Sequence, residues 1–180
     1  AEFEHGRLRL RRMIGLSAET RDGVAIRLMA NIELPQEAAT AASLGADGVG
    51  LLRTEFLFMN RERLPGEEEQ YQALATVIDA MGGRPVTIRT LDVGGEKLTR
   101  SLADRFGRAA NPALGIRAVR LSLREPKLLG TQLAAILRAA CHGPVRILLP
   151  MVSTLREVRL VRKAIGRAAH RLVRRGLPVP

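Results

Sequence analysis

The amino-acid sequence predicts an α/β protein whose strands form a parallel sheet. Four apolar stretches that read as strands are each followed by a helical pattern, and repeated strand-then-helix units predict parallel strands joined by right-handed crossovers. The strands are nearly continuous apolar runs, as expected for strands buried inside a protein. Two of them end in the same dipeptide, Arg53-Thr54 and Arg89-Thr90, and an acid follows each arginine within three residues.

The predicted elements follow one another in a regular order. A turn signal at Asp22-Gly23 precedes a first strand over residues 24–30, with Asn31 at its end. Further strands, rich in Val, Ile and Leu, are predicted over residues 48–53, 86–93 and 145–151. Prolines or acids in the first turn and a one-sided leucine pattern predict helices over residues 35–43, 67–81, 126–140 and 155–175. Residues 97–110 are polar and are expected to form a long loop over one end of the sheet.

Four such units amount to about half of a TIM-type (β/α)8 barrel, which takes about 250 residues. We therefore predict an α/β fold in which parallel (β/α) units form about half of such a barrel. Residues 1–22 are polar and basic and predict a linker or the tail of an upstream element. Residues 23–180 then make the N-terminal part of the barrel domain.

Composition excludes several classes of protein. Hydrophobic residues make up 46% of the 180 residues, which is too many for a disordered chain. Cys141 is the only cysteine, so a disulfide or a cysteine-based metal site within one chain is excluded, and a reducing cytoplasm fits. We expect this thiol to be buried or half-buried at the end of an apolar helix. No apolar run reaches the roughly 20 residues of a membrane span, so no membrane contact is predicted.

The net charge of +11 could indicate contact with nucleic acid or an anionic membrane. Aromatic residues are only 3% of the chain, so no stacking platform accompanies the charge. We therefore favour a protein with arginines scattered over its helix faces, and we regard nucleic-acid binding as unlikely.

The arginines at the strand ends are the strongest candidates for a site. A guanidinium near the end of a buried strand is costly unless an anion or a carboxylate meets it. If the two strands are parallel neighbours, Arg53 and Arg89 converge at their carboxyl ends, the edge at which parallel α/β folds bind ligands. Asp92 could belong to such a site or serve only as a partner of Arg89. Arg117 could likewise pair with a neighbouring acid.

Four stretches, in order, resemble the phosphoenolpyruvate-binding barrel of enzyme I of the bacterial phosphotransferase system. They are residues 45–59, 89–97, 111–120 and 148–152. The resemblance runs from about residue 24 to the end of the chain, and the carbohydrate and nitrogen-related branches are equally compatible with it. Phe56 stands where pyruvate phosphate dikinase, which shares the barrel, typically has a histidine, so the enzyme I branch is favoured.

The resemblance implies a phosphotransferase that takes the phosphoryl group of phosphoenolpyruvate (PEP), passes it to a histidine on a separate domain and then to the carrier protein HPr, and releases pyruvate. Around the phosphoryl group it implies three arginines, Arg53, Arg89 and Arg117. Lys97, Asn31 and Asp92 match polar positions around the same pocket.

The resemblance also implies parts that these residues do not supply. The family's acidic Mg²⁺ ligands and its catalytic cysteine lie in the second half of the barrel, and the phosphorylated histidine lies in an upstream domain. We therefore expect Mg²⁺ as a cofactor with ligands elsewhere, assign no catalytic or metal-binding residue here, and expect these residues alone to be inactive. The full-length enzyme is expected to be a homodimer.

Two readings from other classes remain as alternatives. The first is a basic nucleic-acid-binding module, motivated by the net charge and by the arginines in residues 7–12 and 171–175. The second is a non-catalytic regulatory half barrel. The histidines His5, His142 and His170 lie in no phosphohistidine-like context, so none is expected to carry a phosphoryl group.

Overall fold

The fold alternates strands and helices, as the sequence predicts. The computed structural model describes residues 6, 10, 13–59, 61, 63–93 and 115–180. Within them the elements are β1 (Met29–Ile32), α1 (Pro35–Ser43), β2 (Gly48–Arg53), α2 (Glu67–Ala80), β3 (Val86–Arg89), α3 (Ala118–Arg124), α4 (Pro126–Ala139), β4 (Val145–Leu148) and α5 (Leu155–Arg174). A single turn of 3₁₀ helix, Glu55–Leu57, follows β2.

The four strands form one parallel sheet in the order β1-β2-β3-β4. Each strand therefore neighbours the next one along the chain, which is the order of a (β/α) barrel and half of its eight strands. The predicted fold class, a parallel α/β sheet forming part of a TIM-type barrel, is confirmed. The register places Arg53 directly opposite Arg89, and Arg89 directly opposite Leu148.

The helices bury one face of this sheet. Val86 and Ile88 of β3 are 0% exposed and pack in a cluster with helix residues such as Ile136. Burial of a side chain of this size stabilises the fold by about 1.5–3 kcal/mol. Thr87 and Arg89 alternate with them along β3 and are only partly buried. The second face of the sheet therefore carries the polar side chains.

The first strand is shorter than the sequence predicts. We expected residues 24–30, but β1 is Met29–Ile32. The preceding residues form a turn of their own, with an isolated antiparallel bridge between Glu19 and Ala25. The backbone of Thr20 bonds to Val24 and that of Ile26 to Ala18, while Leu28 bonds to Asp47 just before β2. The ladder to β2 therefore begins only at Met29, and Asn31 lies inside the strand.

Strands β3 and β4 end at Arg89 and Leu148, not at residues 93 and 151 as predicted. The N–H of Thr90 still donates to the carbonyl of Leu148, but from Leu91 onward the N–H groups bond to side chains: that of Leu91 donates to Oε1 of Gln132 at 3.0 Å. This departure from the ladder turns the chain toward the helices at the carboxyl edge.

The helix predictions are confirmed: α1 has the predicted bounds, and α2, α4 and α5 each end one residue sooner. Helix α5 begins with a capping box in which Thr154 accepts the N–H of Glu157 at 3.3 Å and Glu157 accepts that of Thr154 at 2.8 Å. The short helix α3 was not predicted. Cys141, expected to be at least half-buried, is exposed. The predicted loop over residues 97–110 lies outside the described residues.

Candidate functional site

Arg53 and Arg89 lie side by side at the carboxyl edge of the sheet. They are register partners across β2 and β3, so their side chains leave the same face of adjacent strands. Arg53 forms an ion pair with Glu33, and the two side chains are 42% and 53% exposed. The Arg89 side chain is 21% exposed and therefore more firmly enclosed. The convergence that the Arg-Thr repeat predicts is confirmed.

A network of acids fixes Arg89. Nη2 of Arg89 donates to Oε1 of Glu55 at 2.9 Å, and the same oxygen accepts the backbone N–H of Asp92 at 3.0 Å. Nη1 of Arg89 lies 3.3 Å from Oδ2 of Asp92. Both carboxylates are largely buried, at 12% and 14% exposure, so the pairs are only weakly screened by solvent.

Asp92 also holds Arg117. Its Oδ1 accepts from Nη2 of Arg117 at 2.9 Å and from Nε at 3.2 Å, while its Oδ2 faces Arg89. One carboxylate thus bridges two guanidinium groups. Both alternatives raised from the sequence, that Asp92 pairs with Arg89 and that Arg117 pairs with a nearby acid, describe contacts of the structure.

Two buried polar atoms of this network have no hydrogen-bond partner among the described residues: Nε of Arg89 and Oε2 of Glu55. Buried polar atoms are almost always bonded, so such atoms indicate capacity for a further partner. A donor on a fixed guanidinium suits an anion oxygen. Ala118, next to Arg117, is fully buried and has a φ of 53°, a conformation that a non-glycine residue adopts only where the surroundings impose it.

A buried glutamine that the sequence analysis missed supports the strand ends. Gln132 of α4 is 2% exposed. Its Nε2 donates to Oγ1 of Thr54 at 3.1 Å, and the Thr54 hydroxyl donates to the carbonyl of Arg89 at 2.9 Å. With its bond to Leu91, Gln132 thus ties together the residues after β2 and β3. It is the polar residue within the apolar face of α4, and that signal was available in the sequence.

Among the described residues, Asn31 makes no contact with this network. Asn31 is exposed on β1 opposite Leu51, on the open side of the sheet, and lines a groove between β1 and α1. Lys97 lies outside the described residues. The described contacts therefore join three of the six predicted residues, Arg89, Arg117 and Asp92, with Glu55. Arg53 lies beside them in strand register and pairs separately with Glu33.

The charges of this site balance. Three arginines face three carboxylates, those of Glu33, Glu55 and Asp92. The acids position the guanidinium groups, and an incoming anion competes with them for the same donors. Each of these carboxylates is paired with an arginine, and no group of three or more His, Cys, Asp or Glu suited to a metal ion occurs among the described residues. Mg²⁺ does not fit the residues described at this edge.

His142 lies away from the carboxyl edge. His142 precedes β4, at the amino end of the sheet. Its Nδ1 lies 2.9 Å from Oδ1 of Asp79, and its Nε2 lies 3.0 Å from the hydroxyl of Tyr71. Within the described part of the chain, no helix combines the length and the apolar character needed to cross a bilayer.

The described residues thus form an α/β protein with a parallel (β/α) sheet and arginines at its carboxyl edge. Residues 8–179 match a family described as "PEP-utilising enzyme, PEP-binding domain", and the chain belongs to that family. The resemblance inferred from the sequence motifs is confirmed.

Three curated relatives illustrate the match. A "Phosphoenolpyruvate-protein phosphotransferase" of Cupriavidus necator is 50% identical over 169 residues, covering 93% of this chain and 29% of that protein. The protein of the same name from Bacillus subtilis is 40% identical, covering 89% of this chain and 28% of its own length. A "Multiphosphoryl transfer protein" of Xanthomonas campestris is 43% identical, covering 91% and 20%. The chain thus spans less than a third of the length of these relatives.

Proposed function

We propose that this chain supplies the phosphoryl-binding part of a phosphotransferase that moves the phosphoryl group of PEP to a protein histidine. The observation that carries the proposal is the placement of Arg53 and Arg89 as direct neighbours at the carboxyl edge. The family description supports PEP as the ligand, and the relatives' names support a protein acceptor. We place the acceptor histidine on another part of the complete protein.

In the proposed reaction, the bond from phosphorus to the enol oxygen of PEP breaks and a bond from phosphorus to a histidine nitrogen forms. The enolate left behind takes up a proton and becomes pyruvate. A loose transition state spreads negative charge over three phosphoryl oxygens, and fixed cations stabilise that charge. Arg53 and Arg89 bind these oxygens, since a planar guanidinium makes two parallel hydrogen bonds to phosphate. Arg117 adds a third cation beside them.

The two strand-end arginines have different parts in this proposal. Arg89 is held by Glu55 and Asp92 and offers its Nε, which has no partner among the described residues, so it is the preorganised donor. Arg53 is paired with Glu33 at the surface, and an exposed ion pair contributes only about 0–1 kcal/mol. Exchanging Glu33 for a phosphoryl oxygen therefore costs Arg53 little. Asp92 is a positioning residue, because its two oxygens orient Arg89 and Arg117.

The wider assignment is also a proposal. We retain Lys97 and Asn31 as further polar groups around PEP, residues 23–180 as part of the barrel, and residues 1–22 as a linker. We propose Mg²⁺ with ligands beyond the described residues, where it would neutralise phosphate charge; the roles of the arginines do not depend on it. We also propose that an HPr-type carrier protein is the next phosphoryl acceptor. The full-length enzyme is proposed to be a homodimer located in the cytoplasm.

A chimera tests the proposal. Residues 8–179 replace the matching segment of the Cupriavidus necator relative, and pyruvate release from PEP is measured together with phosphorylation of the protein. We expect the chimera to be active and Arg53→Ala to lower the rate by about 10³-fold or more. Arg159→Ala, an exposed arginine of α5, is the matched control and should stay within twofold. A folded chimera that keeps its rate without Arg53 refutes the assignment.

A further inference from the structure

A second basic site lies on the outer face of the fold, between α4 and α5. The groove has a volume of about 310 Å³. Arg167, His170, Arg171 and Arg174 line its α5 wall, and their spacing places them on one face of that helix. Gly130 lies on the α4 wall. This groove belongs to the helix layer, whereas Arg53 and Arg89 leave the opposite face of the sheet, so the two sites are separate.

Gly130 gives the groove a built feature. Nη2 of Arg171 donates to the carbonyl of Gly130 at 3.2 Å, so the guanidinium lies against the backbone of α4. A Cβ atom at position 130 would lie 2.8 Å from that same nitrogen, closer than real Cβ contacts allow. A side chain at position 130 would therefore move the end of the flexible arginine away from this contact. Arg171 uses one of its five N–H donors on the carbonyl, and the others remain for a ligand.

The arginines of the groove have no acidic partner among the described residues. Two neighbouring arginines of the helix layer are paired: Glu67 binds Arg138 at 2.9 Å and Arg175 at 2.7 Å. Glu67 borders the adjoining cleft, and these two bonds already occupy it. Arg167, Arg171 and Arg174 thus form a concentration of like charge in a concave site, an arrangement that an anion relieves.

We propose that this groove binds a compact anion with two or more adjacent phosphate groups, such as a pyrophosphate or a triphosphate chain. Arg167 and Arg174 are seven residues apart, about 10 Å along the helix, which is too wide for one phosphate but suits a short row of them. Guanidinium groups are the preferred partners of phosphate oxygens. The chain has no Trp and one Tyr, so the groove lacks the stacking surface that favours a nucleic-acid strand.

Equilibrium dialysis of the 180-residue chain tests the proposal. The labelled ligands are tripolyphosphate, pyrophosphate and inorganic phosphate, each at physiological salt. We expect the affinity to rise in the order phosphate, pyrophosphate, tripolyphosphate. Arg171→Ala and Arg167→Ala should each weaken tripolyphosphate binding by tenfold or more. Arg162→Ala, an exposed arginine of the same helix that does not line the groove, should change it by less than twofold.

The variant Gly130→Ala tests whether binding depends on the position of Arg171 and not only on the charge of the groove. It leaves the net charge unchanged and favours the helix, so the fold is retained, but its Cβ displaces Arg171 and should weaken binding severalfold. The variant Arg89→Ala shows whether the anion binds at the carboxyl edge instead. We expect this variant to leave the affinity for tripolyphosphate unchanged.

Three results overturn the proposal. The first is that every arginine variant, including Arg162→Ala, weakens tripolyphosphate binding equally. The second is that the chain binds no tripolyphosphate at physiological salt. The third is that a twelve-nucleotide RNA binds more tightly than tripolyphosphate and that its binding depends on Arg171. Failure of the chimera's phosphotransferase assay leaves this test standing, because none of the three groove residues that are changed belongs to the proposed PEP site.

Discussion

Replacement of Arg89 by alanine should abolish phosphoryl transfer in the chimera with the Cupriavidus necator relative. Removal of one fixed cation from a transferring phosphoryl group typically costs about 10³-fold or more in rate, which corresponds to about 4 kcal/mol of transition-state stabilisation. Arg89 is the most enclosed of the three arginines, at 21% exposure, so we expect the full effect. Arg89→Lys should recover little, because an ammonium cannot reproduce the guanidinium fork.

Loss of Arg89 also has a structural effect that must be separated from the catalytic one. Glu55 is 12% exposed and would lose its counter-charge, although its bond from the N–H of Asp92 remains. We expect a cost of about 1–3 kcal/mol in the free energy of unfolding. Glu55→Gln in the same protein removes the unpaired carboxylate and should recover most of that stability.

The measurements are kcat and KM for pyruvate release and a thermal melt followed by circular dichroism, with Arg159→Ala as the control. The double variant Arg89→Ala/Glu55→Gln should be stable and inactive. If it regains activity with its stability, the role of Arg89 is structural, and the reasoning about phosphoryl binding is wrong.

Three further outcomes follow from described contacts. Gln132→Leu leaves the buried N–H of Leu91 without its acceptor, so the free energy of unfolding should fall by about 1–3 kcal/mol, measured by urea denaturation. Burial raises the pKa of Glu67, but hydrogen bonds from Arg175 and Arg138 outweigh it and hold that pKa below its ordinary value of 4.5. A carboxylate with a lowered pKa stabilises the fold above its ordinary pKa of 4.5, and this contribution is lost as the pH falls through the lower pKa of the folded state. Glu67→Gln should therefore destabilise the protein at pH 7, and its difference from the wild type should shrink as the pH falls below 4.5. Finally, His142→Ala should leave phosphorylation of the chimera unchanged, and acid-labile phosphate mapped to His142 by mass spectrometry would contradict its placement at the amino end of the sheet.

Elements with strong local signals are the ones that the sequence predicts well. Pro35 at the start of α1 and the Leu pattern of α4 fix those helices within one residue. The first strand was predicted too early because residues such as Val24 and Ile26 have high β-propensity. Their hydrogen bonds go to the preceding turn, as in the bond from the Ile26 N–H to the carbonyl of Ala18 at 2.8 Å. Propensity identifies an extended segment but does not say which strand it pairs with.

The sequence predicted the arginines of the candidate site better than the residues that hold those arginines in place. Arg53 and Arg89 follow from a repeated motif and from the rule that parallel strands share a carboxyl edge. Glu33 and Gln132 were missed because each contacts its partner across the fold, and residues 20 and 78 positions apart in sequence carry no periodic signal of contact. Such long-range hydrogen bonds and ion pairs hold the donor groups in place. Sequence patterns therefore predict the position of a charged residue more readily than the residues that orient it.

The open edges of the sheet lead to a last expectation, that the isolated chain associates with itself. Within the described residues, β1 and β4 each pair on one side only, and unpaired strand edges template pairing with another chain. Beside β1 lies an apolar groove of about 660 Å³ whose borders include Leu28 and Leu44, 57% and 54% exposed. An exposed apolar surface of this kind favours association. Size-exclusion chromatography with light scattering should therefore show dimers or larger species. Leu28→Lys, which places a charge beside the open edge, should shift them toward monomer, whereas Leu155→Lys at the exposed start of α5 should not. A monodisperse wild-type monomer with a cooperative melt would show that the half barrel is stable with both edges open.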